Sequence, residues 1–256
     1  GVKADDILHN SYGYGLFTGG LGLHYGGERL GAAVVPVSGG NSSLQLQLLE
    51  DLGARVICAT PSFSLLLAER AAEAGLLDRL NLEVGILGAE PWSEGMRTRI
   101  ESAWGRGFRA LDIYGISEVI GPGVAMESPD DLGALQVFDD HFFAEIVDPE
   151  TGDPLPDGHW GELVVTTLTK EAMPLLRYRT GDITRILKGP GTPGRNWIRI
   201  ARITGRADDM LIIRGINVYP REIETALLED SDLSGQYAII VDRRATMAEL
   251  RVRAES

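Results

Sequence analysis

The amino-acid sequence predicts an α/β fold made of a parallel α/β subdomain, a β-rich subdomain and a truncated small α+β C-terminal domain. Three observations support this prediction. Short apolar runs alternate with helical patterns up to residue 125, strands separated by turns fill 126–206, and a strand–helix–strand–strand pattern follows. We therefore assign 1–206 to one large domain with an internal boundary at 125, and 207–256 to the start of a second, mobile domain.

The first subdomain contains apolar, partly β-branched runs that are typical of strands covered on both faces of a parallel sheet. Between these runs, apolar residues recur at helical spacing, with serine before a helix and glycine after it. The predicted strands cover 32–37, 54–59, 83–89 and 109–115, and the predicted helices cover 44–52, 62–74 and 94–104.

Strand and turn signals define the rest of the chain. In the β-rich subdomain, strands are predicted at 143–148, 161–168, 175–187 and 197–203, forming a distorted barrel or a sheet packed on the first subdomain. The segment 188–196 is rich in glycine and proline, so we expect an exposed loop with no nucleotide role. In the small domain, strands are predicted at 208–215, 237–244 and 249–255, and a helix at 220–230.

Charge and composition exclude several classes of function. The formal net charge of −13 argues against nucleic acid or an anionic membrane as the main partner, because both bind basic surfaces. No apolar run approaches the length of a membrane span, and no secretory signal is recognisable. The single cysteine, Cys58, lies in an apolar run and is predicted to be a buried core thiol. The absence of disulfides within the chain fits a cytoplasmic location.

The stretch DIYGISEV (112–119) is the most informative one for chemistry. We expect a strand that ends at Ile113 and a turn through Tyr114 and Gly115, which presents Ser117 and Glu118 at the carboxyl edge of the sheet, where such folds bind ligands. A hydroxyl next to a carboxylate can hold a phosphate oxygen and a magnesium ion together. The alternative is an ordinary helix N-terminus.

Two further stretches carry candidate binding residues. In YRTGDITR (178–185), Asp182 follows a tight turn, where a fixed carboxylate can accept hydrogen bonds from both hydroxyls of a ribose. The alternative is an aspartate that only stabilises the turn. In the stretch 205–224, Arg206 is followed by a strand and then by Gly215 and Pro220. The alternative is a charged linker between two domains, but a linker does not need a specific Gly and Pro at fixed offsets.

These three motifs, in this order, resemble the signature of the adenylate-forming superfamily of acyl-CoA synthetases, luciferases and peptide-synthetase adenylation domains. Several segments are more specifically similar to the phenylacetate–CoA ligase family, and the resemblance covers nearly the whole chain. The segments are NSYGYGLFTGGLGLHYGGERLGA (10–32), GAEPW (88–92), DIYGISEV, DDHFFAEIVDPETG (139–152), LTKEAMPLLRYRTGD (168–182) and RADDMLIIRGINVYP (206–220).

The resemblance implies a two-step ligation of phenylacetate to CoA, with ATP, Mg²⁺ and CoA as cofactors or co-substrates. It also implies small-molecule partners only and allows for a homodimer. For the nucleotide base, the resemblance implies that Asp112, Ile113 and Tyr114 border the adenine, with Tyr114 stacked on it, and that Gly88, Ala89 and Glu90 flank the acyl and adenine pockets. For the rest of the nucleotide, it implies that Ser117 contacts the α-phosphate and Glu118 binds the magnesium. It also implies that Asp182 binds the ribose, with Arg206 beside it. It further implies Asp208 as the hinge, and Arg214 and Gly215 along the CoA channel.

For the acid, the resemblance implies an aryl pocket lined by Tyr12, Phe17, Gly88, Ala89, Ile113 and Pro122. Aromatic rings that face small residues suit a flat ligand. Core packing on a helix face is the alternative for Tyr12 and Phe17. The family's phosphate loop and its catalytic lysine have no counterpart here, and neither Lys170 nor Lys188 replaces that lysine. We therefore expect a fragment that is inactive as a ligase on its own.

Three other interpretations compete with phenylacetate ligation. One is a nicotinamide-dependent dehydrogenase, suggested by the glycines of GYGLFTGG, but the preceding DILHNSY is not predicted to be an apolar strand and no acidic residue ends the strand that follows. The second is a non-catalytic adenylate-binding relative. The third is a ligase of the same fold for another aryl acid, such as a benzoate, an aminobenzoate or indoleacetate.

Overall fold

The structure is a computed structural model. It describes residues 1–15, 17–189, 191, 196–207, 211–213, 216–218, 220–228, 233, 236–242 and 249–255. Three residues implied to act in catalysis or CoA binding, Asp208, Arg214 and Gly215, lie outside this set, as does most of the Gly/Pro-rich segment 188–196. No helix in the described part is long and apolar enough to cross a membrane.

The centre of the molecule is an eight-stranded mixed sheet, with five parallel strands at one end of the strand order and three antiparallel strands at the other. Its parallel part consists of β1 (Ile7–Asn10), β2 (Ala33–Pro36), β3 (Val56–Ala59), β4 (Val84–Gly88) and β5 (Arg109–Ile116). The helices are α1 (Thr18–Leu30), α2 (Ser42–Leu52), α3 (Pro61–Glu73) and α4 (Glu94–Trp104). The four strands and three helices predicted for this region are confirmed.

Three antiparallel strands extend the same sheet beyond β5. They are β6 (Ile120–Ser128), β7 (Asp131–Val137) and β11 (Arg199–Ala201). The strand order of the whole sheet is β11-β7-β6-β5-β4-β3-β1-β2. The change from parallel to antiparallel pairing therefore occurs within one sheet, and the sheet continues across residue 125. The proposed subdomain boundaries at residues 125 and 206 stay predictions.

A second, antiparallel sheet lies beside the first. It comprises β8 (Phe142–Val147), β9 (Gly161–Thr167), β10 (Tyr178–Thr184) and β12 (Gly205–Arg206), in the order β12-β10-β9-β8. The pairing of β10 with β12 places Asp182 opposite Arg206. Apolar side chains of both sheets, including Leu135, Ile146 and Leu163, form one buried cluster between them.

The C-terminal residues form two hairpins and a helix. Strands β13 (Leu211–Ile213) and β14 (Ile216–Val218) pair with each other, α5 (Pro220–Leu228) follows, and β15 (Tyr237–Asp242) pairs with β16 (Glu249–Ala254). The predicted strand–helix–strand–strand order is confirmed, with β14 as an additional strand.

The helices α2 to α4 begin at side chains that accept hydrogen bonds from the first helical turn. Asn41, Thr60 and Ser93 each accept from a backbone N–H three residues further on. The apolar faces of these helices cover one face of the parallel sheet, where Leu67 and Ile100 are completely buried. This packing positions β4 and β5 beneath the helices.

The prediction that DILHNSY is not a strand is wrong, because Ile7–Asn10 form β1 between β2 and β3. His9 and Asn10 are buried, and each has a polar side-chain atom that forms a hydrogen bond with a residue distant in the sequence. His9 Nε2 lies 2.8 Å from Gln45 Oε1, and Asn10 Nδ2 donates to Gly20 O at 2.9 Å. Polar residues can occupy a central strand when a neighbouring helix supplies such partners.

Helix α1 was not predicted, because five of its thirteen residues are glycine. Several of these glycines face other backbone segments closely. A Cβ on Gly22 would lie 2.7 Å from Gly121 O, and one on Gly20 would meet Gly13 O. The glycines thus allow α1 to lie directly against β6 and the segment that follows β1.

Candidate active site

A cavity of about 270 Å³ opens at the carboxyl ends of β4 and β5. Its lining combines the segment after β4, the end of β5 and residues of the second sheet: Ala89, Glu90, Pro91, Trp92, Asp112, Ile113, Tyr114, Gly115, Ile116, Leu135, Asp182, Ile203, Gly205 and Arg206. Seven of the residues that the resemblance assigns to the nucleotide are among them. The cavity lies at the sheet edge where doubly wound folds bind their ligands.

Asp182 and Tyr114 form the polar centre of this cavity. The Tyr114 hydroxyl donates to Asp182 Oδ2 at 2.5 Å, and Arg206 Nη1 lies 3.4 Å from Asp182 Oδ1. Burial, and then the neighbouring Asp182 charge, raise the pKa of the Tyr114 hydroxyl well above its ordinary value. Tyr114 therefore stays protonated and remains a hydrogen-bond donor to the carboxylate.

Asp182 does not follow a tight turn, as the sequence predicted, but lies within β10 at an irregularity in its pairing with β9. Gly181 has a φ of +78°, and a Cβ there would lie 2.8 Å from Arg206 Nη2. Glycine permits the left-handed backbone at this position, and the Arg206 guanidinium lies in the space that a side chain would take. This irregularity directs Asp182 toward the cavity.

The segment after β4 separates the cavity from a neighbouring one. A Cβ on Gly88 would collide with Ile113 O, which explains why glycine is found where β4 and β5 approach closely. Ala89 has a left-handed φ of +70°, uncommon for a residue other than glycine. The Glu90 carboxylate accepts from Ser62 N at 2.6 Å and from Ser62 Oγ at 3.0 Å, so it is held at the start of α3.

A second cavity, of about 190 Å³, shares Ala89, Ile113, Gly115 and Ile116 with the first. Five of the six residues implied for an aryl pocket line it: Tyr12, Phe17, Ala89, Ile113 and Pro122. The Tyr12 and Phe17 rings lie 5.9 Å apart, centre to centre, at 37°. Gly88 does not line this cavity but lies behind Ile113.

Ser117 and Glu118 lie at the mouth of the second cavity and are exposed. The predicted turn at Tyr114 and Gly115 is wrong, since β5 continues to Ile116 and pairs with β6. Gly115 is needed for close packing there, because a Cβ added to it would lie 2.6 Å from Ile120 O. Ser117 and Glu118 are therefore at the tip of a β-hairpin rather than at a helix N-terminus.

Lys170 contacts this hairpin, although no motif connects the two. Its ammonium group donates to Glu118 O at 2.9 Å and to Val119 O at 2.8 Å. Because two carbonyl groups of the tip bind one charged donor, the position of the Glu118 backbone is fixed by the segment between β9 and β10.

Asp112 belongs to a charge cluster that is buried except for Glu94 and that no motif indicated. Arg202 donates to Asp112 Oδ2 at 2.9 Å and to Glu94 Oε1 at 2.6 Å. Arg97 binds both oxygens of Glu127 at 2.7 and 2.8 Å. No short motif could reveal this cluster, since its partners come from separate segments of the chain.

The donor set at Ser117 and Glu118 fits a magnesium ion that takes most of its ligands from phosphates and water. Magnesium usually binds only one or two protein carboxylates. In the described part of the chain, no group of three or more His, Cys, Asp or Glu side chains could hold a metal alone. A single carboxylate beside a hydroxyl is therefore suited to a metal–nucleotide complex rather than to a resident metal.

Comparisons with known proteins match this geometry. A family model described as AMP-binding enzyme matches residues 16–169, and one described as AMP-binding enzyme C-terminal domain matches residues 215–256. The chain belongs to the AMP-binding enzyme family. The first match runs from the residue before Phe17 to just beyond β9, and the second contains β14, α5, β15 and β16.

Curated relatives of this family member include phenylacetate–CoA ligases. The chain is 49% identical over 256 residues to that of Thermus thermophilus and 50% identical over 257 residues to that of Escherichia coli K12. All of the chain is matched, and it spans 57% and 58% of the length of these two relatives.

Solved structures of acyl-CoA ligases share the fold. A 2-hydroxyisobutyryl-CoA ligase in the postadenylation state, in complex with an acyl-adenylate, superposes with a TM-score of 0.89 at 29% identity. The superposition covers 99% of this chain and 55% of that one. The arrangement of the two sheets is thus that of an adenylate-forming ligase.

Proposed function

We propose that this chain forms the nucleotide- and acid-binding part of an enzyme that ligates phenylacetate to CoA through an acyl-adenylate. The observation that carries the proposal is the pair of adjoining cavities that share the wall of Ala89, Ile113, Gly115 and Ile116. A carboxylate in one cavity and an α-phosphate in the other would meet at this wall. The identity of about 50% to phenylacetate–CoA ligases supports the choice of acid.

The proposed ligation proceeds in two steps. A carboxylate oxygen of phenylacetate attacks the α-phosphorus of ATP, and the bond to pyrophosphate breaks. The thiol of CoA then attacks the acyl carbonyl carbon, loses its proton, and AMP leaves. Both steps need charge neutralisation and alignment more than covalent chemistry by the protein.

Side chains of this chain would provide binding and orientation. Asp182, supported by the Tyr114 hydroxyl and Arg206, is the proposed acceptor for the ribose hydroxyls. Ser117 is the proposed donor to the α-phosphate, and Glu118 would hold magnesium at the hairpin tip. A bound magnesium ion would supply neutralisation of phosphate charge.

Replacement of Glu118 by glutamine in a full-length protein that contains this chain tests the proposal. We expect phenylacetate-dependent pyrophosphate release to fall at least a hundredfold, because the neutral amide binds magnesium poorly. The matched control is Glu145→Gln in β8, whose carboxylate pairs with Arg177 away from the cavities. Near-normal release by Glu118→Gln would refute the role of this residue.

Two measurements decide between the alternatives. Thioester formation with phenylacetate, benzoate, 2-aminobenzoate and indoleacetate identifies the acid. A full-length protein that binds AMP but releases no pyrophosphate with any acid would be a non-catalytic relative. We expect the 256-residue chain alone to bind AMP without forming acyl-CoA, and acyl-CoA formation by that chain would contradict this expectation.

A further inference from the structure

Arg202 joins three segments that form the wall of the nucleotide cavity. It follows β11, is 7% exposed, and donates to Asp112 Oδ2 at 2.9 Å, to Glu94 Oε1 at 2.6 Å and to Trp92 O at 2.7 Å. These partners come from β5, from the start of α4 and from the segment after β4. One planar guanidinium group therefore sets the distance between three otherwise separate pieces of backbone.

The Trp92 ring is held by the same charges. The guanidinium carbon of Arg202 lies 4.6 Å from the centre of the Trp92 ring, and that of Arg97 lies 4.8 Å from it. Both distances are within the range of cation–π attraction. Trp92 and Asp112, which both line the cavity, are thus positioned by the group that is buried behind them.

Only one carboxylate oxygen of Asp112 accepts a hydrogen bond from Arg202. Arg202 binds Oδ2, and no hydrogen bond from the residues that the structure describes engages Oδ1. An ionised carboxylate is an acceptor only, so a ligand that meets this oxygen must bring a donor. The exocyclic amino group of adenine is such a donor, whereas hypoxanthine carries a carbonyl oxygen at the same ring position.

We propose that Arg202 is a positioning residue for base recognition, which holds Asp112 so that the cavity prefers an amino-purine to an oxo-purine nucleotide. This inference rests on the proposed function, because it requires that a nucleotide occupies the cavity lined by Tyr114 and Asp182. The preference arises because the carbonyl oxygen of an oxo-purine and the Asp112 carboxylate oxygen are both acceptors. Placed against each other, neither would gain a hydrogen bond.

The test compares AMP with IMP on the 256-residue chain by ligand-observed NMR titration. We expect the unaltered chain to bind AMP at least tenfold more tightly than IMP. Arg202→Met should weaken the binding of AMP about tenfold and change the binding of IMP little, so that the preference for AMP is lost. The AMP to IMP affinity ratio of Arg202→Lys should lie between those of the unaltered chain and Arg202→Met. A residue with only a structural role would weaken both nucleotides equally and leave their ratio unchanged.

Arg199→Met is the matched control. Arg199 lies three residues earlier in the same segment and pairs with Asp131 at 3.0 Å, but it does not line the cavity. Its replacement should leave the AMP to IMP ratio unchanged. Circular dichroism and thermal melting report whether each variant is folded, and if Arg202→Met unfolds, the ratio measured for Arg202→Lys decides.

Each outcome has one meaning. A reduced ratio in a folded Arg202 variant, with the control unchanged, supports the inference. An unchanged ratio in the folded Arg202 variants overturns it, while AMP binding by the unaltered chain would leave the proposed function standing. Failure of the unaltered chain to bind AMP overturns the inference together with the proposed function.

Discussion

Glu127 is completely buried and accepts four hydrogen bonds from three groups. Its oxygens bind the Arg97 guanidinium at 2.7 and 2.8 Å, Asp112 N at 2.7 Å and Gly133 N at 2.8 Å. We predict that Glu127→Gln lowers the free energy of unfolding by about 3 kcal/mol, because Arg97 would lose its buried carboxylate partner and keep only the largely exposed Glu94. Urea denaturation at pH 7 measures this difference.

The control for this prediction is Glu145→Gln. Glu145 binds Arg177 at 3.1 Å in a pair that is open to solvent, so its loss should cost no more than about 1 kcal/mol. Similar losses in the two variants would show that the buried cluster contributes no more than a surface pair does.

Tyr114 provides a prediction for alkaline pH. Burial, followed by the Asp182 charge, raises its pKa well above 10 in the folded protein, whereas an unfolded tyrosine ionises near pH 10. The stabilisation is therefore present below pH 10 and is lost as the pH rises above it, by about 1.4 kcal/mol per pH unit. Tyr114→Phe should reduce the loss of unfolding free energy between pH 9.5 and 11.

Tyr12 and Cys58, whose pKa values are also raised by burial, are unchanged in this variant and contribute equally to both proteins. Urea denaturation across the pH range gives the comparison. Identical pH dependence of the two proteins would mean that Tyr114 ionises in the folded state as readily as in the unfolded one.

At this scale the sequence predicted residues that belong to short motifs and missed those that act through distant partners. Glu118 and Asp182 were recognised from their neighbours in the sequence. Arg202 was not, because its partners Asp112 and Trp92 precede it by 90 and 110 residues. A single arginine after a short strand has many uses, and only the fold shows which one applies.

Helix α1 offers a matched pair of glycine substitutions at the scale of an element. A Cβ on Gly22 would lie 2.7 Å from Gly121 O and 2.8 Å from Pro122 Cδ, whereas one on Gly26 would meet nothing within 4 Å. We predict that Gly26→Ala raises the free energy of unfolding by about 1 kcal/mol through helix propensity. Gly22→Ala should lower it by about 1–3 kcal/mol, as expected for overpacking.

Thermal and urea unfolding of both variants measure these effects, which should have opposite signs. Stabilisation of the protein by Gly22→Ala would show that α1 does not need its close approach to β6. Because Gly121 and Pro122 line the smaller cavity, Gly22→Ala should also weaken acid binding more than Gly26→Ala does.

The elements themselves were predicted where a repeating apolar pattern existed. Strands β3 and β4 are continuous apolar runs, and α2 to α4 have apolar residues at helical spacing. The pattern failed for β1, where His9 and Asn10 are buried, and for α1, where packing against backbone favours glycine over good helix formers. In both cases tertiary contacts outweighed local propensity.

The cavity that we propose as the nucleotide site is lined by residues of both sheets, which leads to a prediction for the whole molecule. Its lining includes Trp92 and Tyr114 from the first sheet's edge, and Asp182 and Arg206 from the second sheet. We predict that AMP at one hundred times its dissociation constant stabilises the chain by about 2.7 kcal/mol. Hydrogen exchange should slow in both sheets, at 110–116 and at 178–184.

Mass spectrometry of exchanged peptides measures this protection, with α2 (42–52) as the distant reference segment. Asp182→Asn should reduce the protection in both sheets, because it removes the charge that the Tyr114 hydroxyl and Arg206 contact. Protection confined to one sheet would mean that the ligand does not bridge them.

The pairing of β11 with β7 has a consequence for synthesis of the chain on the ribosome. Strand β7 ends at Val137, and its outer neighbour begins about 60 residues later at Arg199, after β8, β9 and β10. At roughly 5–20 residues per second, the edge of β7 stays open for several seconds during translation. An open edge is a template for pairing with other chains. Nascent chains stalled before Arg199 should therefore be the ones that need chaperones most.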